Sequence, residues 1–582
     1  MDRDQVAAIL AEIGTLLELQ GETSFRTNAY HNGARAIQQL EGDLGEVIRA
    51  GRLGDVPGIG ATLRDKITTL VSTGSLPFYD KLKAEIPAGL VEMLRIPGLG
   101  PKKVKALHEA LEIDTLDKLR EACESGKVAK LKGFGAKTQE KILEGLKFVA
   151  ELGNRVRLDQ AMWIAEGVAD AIRALPGVIR MEVCGSIRRR KETCKDIDLL
   201  VSSDTPGPIM DAFVSLPGVI KVAGQGPTKS SVVVQKVTAS GTRITMNADL
   251  RVVPDVHYPF AQHYFTGSKE HGIAMRKLAI EQGLKFNEYE LAGEGRNIAC
   301  KTEADIFRAL GLGFIPPELR EDTGEMEAAT NHTLPDLVEV GDIRGVFHNH
   351  TVYSDGGNTV EEMARAAQAL GFEYFGLGDH SQSLTVANGL TPERVRAQQK
   401  EVDAVRKKMK DFHIFKGTEC DILEDGSLDY DDDLLATFDY VVASVHSFFN
   451  QTREVMTARI VRAVRHPRVT MLGHATGRLL LKRDSYHVDL DAVLQAAAES
   501  GTMIEINADP HRLDLDWVHC KRAKALGVRL VINPDAHSTA GLGNFRFGVD
   551  VARRGWLEKK NVFNTLSGDE VAKEFARRKK GG

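Results

Sequence analysis

The spacing of apolar and polar positions changes twice along this 582-residue chain. In the first stretch three segments repeat one pattern: VPGIGATLRDKI (56–67), IPGLGPKKVKAL (96–107) and LKGFGAKTQEKI (131–142). Each is an apolar or basic lead-in, a Gly-x-Gly turn and an amphipathic helix. Their recurrence predicts a repeated helical unit. From about residue 151 the rhythm shortens. A helix over 158–174 precedes four runs of strand character, VIRMEVCGS, DIDLLVSS, SVVVQKV and RITMNADLRVV, which predict an α+β domain with a mostly antiparallel sheet. Residues 318–340 are polar and weakly periodic, and they predict an interdomain linker. Beyond Gly341 strand and helix alternate. The candidate strands are IRGVFH (343–348), EYFGLGD (373–379), HIFKGTE (413–419), DYVVASVH (439–446), VTMLGH (469–474), TMIEIN (502–507) and VRLVIN (528–533). Seven strands in βα alternation predict a barrel rather than an open sheet.

Composition sets limits on this picture. No apolar stretch reaches the about 18 residues that a membrane span needs. The opening MDRDQVAAILAEIG lacks the basic and apolar regions of a secretory signal, so a cytoplasmic protein is expected. The six cysteines (123, 184, 194, 300, 420 and 520) form no C-x-x-C pair, which argues against a zinc ribbon or a disulfide framework. A net charge of −5 speaks against nucleic acid only if charge is evenly spread. Between Leu94 and Arg155, however, thirteen Lys/Arg meet nine Asp/Glu. Two of the glycine turns fall in that stretch. Such a turn lets the backbone approach closely, and the helix after it offers N–H groups to an anionic oxygen. Three copies point to DNA phosphate rather than to plain turns, and they resemble the helix-hairpin-helix element. Gly58, Gly60, Gly98, Gly100, Gly133 and Gly135 are the expected contact positions.

The segment CGSIRRRKETCKDIDLLVSS (184–203) carries the sharpest chemistry of the first half. Side chains alternate along a strand, so Asp196 and Asp198 share a face and can bridge hard divalent cations, Mg2+ or Mn2+. Asp249, on a later strand, completes a triad of the kind that two-metal phosphoryl transfer requires. Ser186, the backbone at Gly185, and Arg189 would hold phosphate oxygens. This order of motifs resembles the nucleotidyltransferase superfamily. With YFTGS (264–268) and the upstream hairpins it resembles, more narrowly, the family X DNA polymerases. The resemblance covers residues 1 to about 317. It implies that Tyr264 and Phe265 discriminate the sugar of the incoming nucleotide, with the Gly267 backbone in the same turn. It also implies that Arg155 faces the triphosphate and Arg276 the template strand. Gly272 stands where the family usually has an Asn, a departure that bears on base-pair checking. Lys66 falls at the position of the family's Schiff-base lysine, against the plainer reading of a solvated helix lysine.

The second half carries a different set. Eleven of the seventeen histidines follow residue 340. His348, His350, Asp355, His380, Glu419, His446, His474, Asp535 and His537 fall at or just after predicted strand ends, the chemical face of a βα barrel. Nine such groups are too many for one ion and fit two or three, and imidazole-rich sites favour Zn2+, Mn2+ or Fe2+ over Mg2+. Such a cluster generates hydroxide and clamps a phosphate, which makes phosphoester hydrolysis the natural reaction. The segments FHNHTVYSDG, GLGDHS, ASVH, LGH and NPDAH resemble the polymerase and histidinol phosphatase (PHP) family over about 341–575, and that resemblance implies a site of up to three ions. Asp379 competes with its neighbour His380 as a ligand; the resemblance favours His380. Histidines 413, 466, 487, 511 and 519 are read as surface or packing residues.

The expected architecture is therefore multidomain. An all-α helix-hairpin-helix region spans 1–90 (DNA-end binding) and 91–154 (fingers). An α+β nucleotidyltransferase palm (155–257) and a thumb (258–317) follow. The linker (318–340) leads to a distorted (βα)7 PHP barrel (341–575). This order of parts resembles that of the bacterial family X polymerases, and the resemblance implies short-gap filling in base-excision or end repair on gapped or primer-template DNA with dNTPs, by a monomer whose barrel acts as a metal-dependent 3′–5′ exonuclease. Alternatives are a barrel that is mainly a 3′-phosphatase or abasic-site endonuclease, or a DNA-end scaffold with a vestigial palm.

Overall fold

The computed structural model describes residues 3–38, 44–56, 58–94, 96, 98–152, 155–238, 241–293 and 295–581. They divide into two compact units, one made of 1–155 with 235–245 and 481–483, the other of the remainder. Among the described residues, no helix is long and apolar enough to cross a membrane.

The first unit is helical. The three predicted helices run over Ala61–Thr73, Pro101–Leu111 and Gly135–Leu152. Their apolar stripes enter one core with Ile13, Ile37, Met93 and Leu119, and this core continues across residue 90. The first two turns share a geometry. Gly58 and Gly98 have φ of 90° and 76°, and Gly60 and Gly100 are extended N-caps. The third differs, because Gly133 and Gly135 are both left-handed, at 90° and 66°. A side chain is disfavoured at each left-handed position.

In the second unit the helix Leu158–Arg173 precedes a five-stranded sheet. Its strands are β1 (Arg180–Val183), β2 (Asp196–Ser202), β3 (Val219–Gln225), β4 (Lys229–Val237) and β5 (Arg243–Val253), in the order β1-β2-β5-β4-β3. The sheet is mixed. β1–β2 and β3–β4 are antiparallel, but β2 and β5, which carry the aspartates, are parallel. β3 is mostly exposed and lacks the alternation that would have marked it in the sequence. After the sheet, the helices Tyr258–Thr266, Lys269–Glu281 and Glu303–Ala309 pack around Phe260, Met275, Ile306 and Phe307.

The 318–340 segment, expected as an interdomain linker, is packed as a strap. Arg320 is fully buried and donates to the Ile315 carbonyl (2.9 Å) and to Glu303 (2.6 Å). Glu325, equally buried, accepts from the N–H groups of Asp322 and Thr323 and lies 2.9 Å from His271 Nδ1. Val338 N–H donates to the Leu557 carbonyl at 3.0 Å. The polar residues are there to satisfy buried partners, which a periodicity argument cannot see.

The barrel strands are β6 (Gly345–Asn349), β7 (Tyr374–Leu377), β8 (His413–Phe415), β9 (Gly417–Asp421), β10 (Tyr440–Ser444), β11 (Met471–Leu472), β12 (Met503–Asn507) and β13 (Leu530–Asn533). All neighbouring pairs are parallel. The predicted strand 413–419 is broken at Lys416 into β8 and β9, so the ring is distorted. His350 N–H donates to the Ala536 carbonyl at 2.9 Å and links the first strand to the last. Phe347, Tyr374, Tyr440, Met503 and Val531 fill the interior, with Phe563 and Phe575 packed against them. That leaves the opposite, C-terminal ends of the strands for polar groups.

Candidate active sites in palm and barrel

Asp198 and Asp249 are direct register partners on β2 and β5, with Asp196 opposite Asn247. Ile197 points into the core between the two aspartates, which puts both carboxylates on the outer face. Burial, then the negative charges of Asp196 and Asp249, push Asp198 up to about 7. Two features fit the triad to cations. Carboxylates crowded this way repel unless positive charge is supplied, and Lys229 Nζ already lies 3.2 Å from Asp249. The buried Ser186 Oγ also has no hydrogen-bond partner. At Gly185, where φ is 62°, a Cβ would lie 2.0 Å from Asp198 Oδ2, so any other residue would have to displace the carboxylate or the turn.

The expected nucleotide contacts are placed unevenly. Arg189 does not point freely toward a phosphate. Its Nη1 donates to the Thr266 carbonyl at 2.5 Å and its Nε to Glu321 at 3.1 Å, because the strap brings a carboxylate to it. Tyr264 and Phe265 close the helix Tyr258–Thr266 and meet edge to face at 5.2 Å. Gly267, at φ 70°, ends that helix. Tyr264, Gly272 and Arg276 line one cavity of about 260 Å3 with Lys269 and Asn287. Arg155 is partly buried at the end of the helical unit.

In the barrel the nine predicted groups converge. His350, Asp355, His380 and His537 form one set with ligand atoms within 4.8 Å of one another. His348 with Glu419 and His474, His348 with His350 and Asp535, and His380 with Glu419 and His446 form three more. Glu419 is the hub: His380 Nδ1 and His474 Nε2 each lie 2.8 Å from it, His348 Nε2 at 3.2 Å and His446 Nε2 at 3.3 Å. Burial opposes charge here, yet the carboxylates outweigh it and push His380 up to about 10 and His537 to about 9. Asp355, Glu419 and Asp535 are held well below the carboxylate range by the imidazoles despite burial. His348 Nε2, both nitrogens of His350, and His380 Nδ1 are buried without hydrogen bonds. Carboxylates that draw protons onto imidazoles, beside orphaned ring nitrogens, are a donor set suited to cations.

A supporting layer went unpredicted. Glu505 Oε2 lies 2.6 Å from His348 Nδ1 and accepts from Asn533 Nδ2 at 2.7 Å. Asp421 lies 2.7 Å from His446 Nδ1. Such partners fix ring orientation and raise ligand basicity. Alternation in TMIEIN marks Glu505 as inward-facing, the one signal that would have found it. Asp379 is a scaffold instead: it accepts from Thr351, Ser354 and Gln398 and belongs to none of the four sets.

Comparisons with known proteins agree with this division. Family models match at residues 1–76 (helix-hairpin-helix domain), 90–147 (SAM-like helix-hairpin-helix tandem), 261–321 (DNA polymerase beta thumb) and 347–509 (PHP domain). The DNA polymerase/3′-5′ exonuclease PolX of Bacillus subtilis is 38% identical over 98% of this chain and 99% of its own length. The chain belongs to the family X DNA polymerases with a PHP domain. DNA polymerase lambda of Rattus norvegicus is 25% identical over 46% of the chain and 48% of its own length. A probable phosphatase of Thermoanaerobacter sp. is 28% identical over 40% of the chain and 94% of its own length. This family X chain is thus a two-part enzyme, a polymerase joined to a phosphoesterase barrel.

Its helical unit holds one more reactive candidate. Lys66 is half-buried. Its Nζ donates to Tyr30 Oη and sits 3.3 Å from the Phe78 ring centroid. Burial, then the charge of Arg26, lower it to about 8.

Proposed function

We propose that this chain fills short gaps in DNA during repair and trims 3′ ends with its barrel. The observation that carries the synthetic half is the Asp198–Asp249 register pair beside the partnerless Ser186 Oγ. Asp196, Asp198 and Asp249 would hold Mg2+ or Mn2+, which when bound would supply positive charge to the attacking 3′-hydroxyl and to the leaving pyrophosphate. Ser186 and the Gly185 backbone bind phosphate oxygens, and Tyr264 and Phe265 bound the sugar. The glycine turns hold the DNA backbone. In the barrel, His348, His350, Asp355, His380, Glu419, His446, His474, Asp535 and His537 would hold up to three Mn2+ or Zn2+ ions, which lower the pKa of a bound water and clamp a phosphodiester. Glu505 and Asp421 orient the imidazoles.

Two variants assayed on gapped DNA test this. Asp198→Ala abolishes dNTP incorporation and spares trimming, and His350→Ala does the reverse. Primer extension by Asp198→Ala would refute the palm assignment; wild-type trimming by His350→Ala would refute the barrel assignment. The match to a probable phosphatase favours a second reading, 3′-phosphate removal at the same site. A 3′-phosphate primer compared with a 3′-hydroxyl primer separates the two. The lowered Lys66 supports Schiff-base chemistry at an abasic sugar, since a neutral amine is the nucleophile.

A further inference from the structure

The palm loop that follows Gly185-Ser186 is held from the barrel side. Arg554 ends the helix Phe545–Arg554 and is 1% exposed. Its Nη1 donates to the Arg189 carbonyl at 2.5 Å and lies 3.2 Å from Glu321 Oε1. The same Glu321 oxygen accepts from Arg189 Nε at 3.1 Å, and Arg189 Nη1 in turn donates to the Thr266 carbonyl at 2.5 Å. One turn earlier on the barrel helix, Asp550 lies 3.6 Å from Arg190. Arg478, also from the barrel, donates to Glu192 at 2.8 Å. Arg189, Arg190 and Glu192 are therefore each tied to the barrel, while Arg188 is tied to Thr266 Oγ1 at 2.6 Å.

A buried guanidinium is costly, and an apolar side chain of similar volume often serves stability as well or better. Arg554 Nε has no partner at all, so the site does not even satisfy the whole group. What the charge does achieve is geometric: it fixes one backbone carbonyl and one carboxylate that together aim a second arginine. We propose that Arg554 is a positioning residue for nucleotidyl transfer. From the phosphoesterase barrel it sets the palm loop, and through Glu321 it holds the Arg189 guanidinium under the Thr266–Gly267 turn that closes the Tyr264-Phe265 helix. The barrel is thus part of the nucleotide pocket's support as well as a separate catalyst. This inference rests on the reading of the palm given above.

The test measures single-nucleotide incorporation and 3′ trimming on the same preparations of full-length chain. Arg554→Met keeps an unbranched apolar stem and removes the charged head. The expected result is a rise in the dNTP KM of about ten-fold or more, with kcat changed less and trimming within about two-fold of the unaltered chain. Arg554→Lys recovers part of the KM. Parallel loss of both activities, or an unchanged KM, overturns the proposal. If Arg554→Met does not fold, Glu321→Gln probes the same contact from the strap: a raised KM with trimming retained supports the proposal, and an unchanged KM overturns it. Asp198→Ala runs alongside. If it still extends the primer, the palm reading itself has failed; if it does not, the Arg554 result stands on its own.

Discussion

Gly185 and Asp198 occupy one space: the hydrogen that glycine carries is the only substituent that clears the carboxylate, since a Cβ would come within 2.0 Å of Oδ2. Gly185→Ala must therefore move Asp198 or the turn. We expect incorporation to fall by about 100-fold, the cost of misplacing a reacting group by roughly an ångström. Trimming on the same preparation stays unchanged. Steady-state assays of both activities check this, and incorporation at the unaltered rate would show that the turn yields without cost.

Glu505 holds His348 from behind at 2.6 Å. Glu505→Gln keeps the shape and removes the charge that makes the imidazole a stronger donor. Metal affinity in the barrel should drop by about 10–100-fold, as for other partners of ligating histidines. Calorimetric titration with Mn2+ reads this directly, and gap filling should be untouched.

The Glu303 carboxylate is 4% exposed and sits between Arg320 and Arg188, at 2.6 Å from each. Burial would raise its pKa, but Arg320 and then Arg188 outweigh this and hold it at about 2, below the ordinary 4.5. A carboxylate whose folded pKa is depressed binds fewer protons folded than unfolded. Its contribution is therefore complete above about pH 4.5 and is lost as pH falls toward 2. Glu303→Gln should cost about 3 kcal/mol at neutral pH, since it strands the buried Arg320 and removes one partner of the partly buried Arg188. That deficit should shrink in acid. Denaturant unfolding at pH 7 and pH 3 tests the sign.

Lys66, lowered to about 8, should react as an amine at moderate pH. Borohydride trapping on an abasic substrate is expected to rise through pH 8 and to vanish in Lys66→Ala. A profile still climbing at pH 10 would mean that the amine is an ordinary lysine.

How much of this was legible in the sequence differs between the two halves. The barrel's nine groups were found because each sits at a strand end, where periodicity and chemistry coincide. Alternation in TMIEIN turns Glu505 inward, but nothing in the sequence pairs it with His348; only the fold brings the two together. In the palm, D-I-D and Asp249 were readable, but the parallel pairing that sets Asp198 opposite Asp249 was not, since alternation does not encode strand direction. Arg189 was read as a phosphate contact because nothing in 318–340 announces that Glu321 would reach it. Composition marked that segment as a tether, whereas Arg320 and Glu325 use their charges inside the protein.

That last feature bears on how a DNA end is passed from synthesis to trimming. Arg320 and Glu325 anchor the strap to the thumb at Glu303 and His271, and Val338 anchors it to Leu557 of the barrel. The two centres of this unit are joined by packed chain rather than by a free tether. On the function proposed above, a primer terminus passing from one centre to the other would have to leave its template first, and the ease with which it melts would set how often it is trimmed.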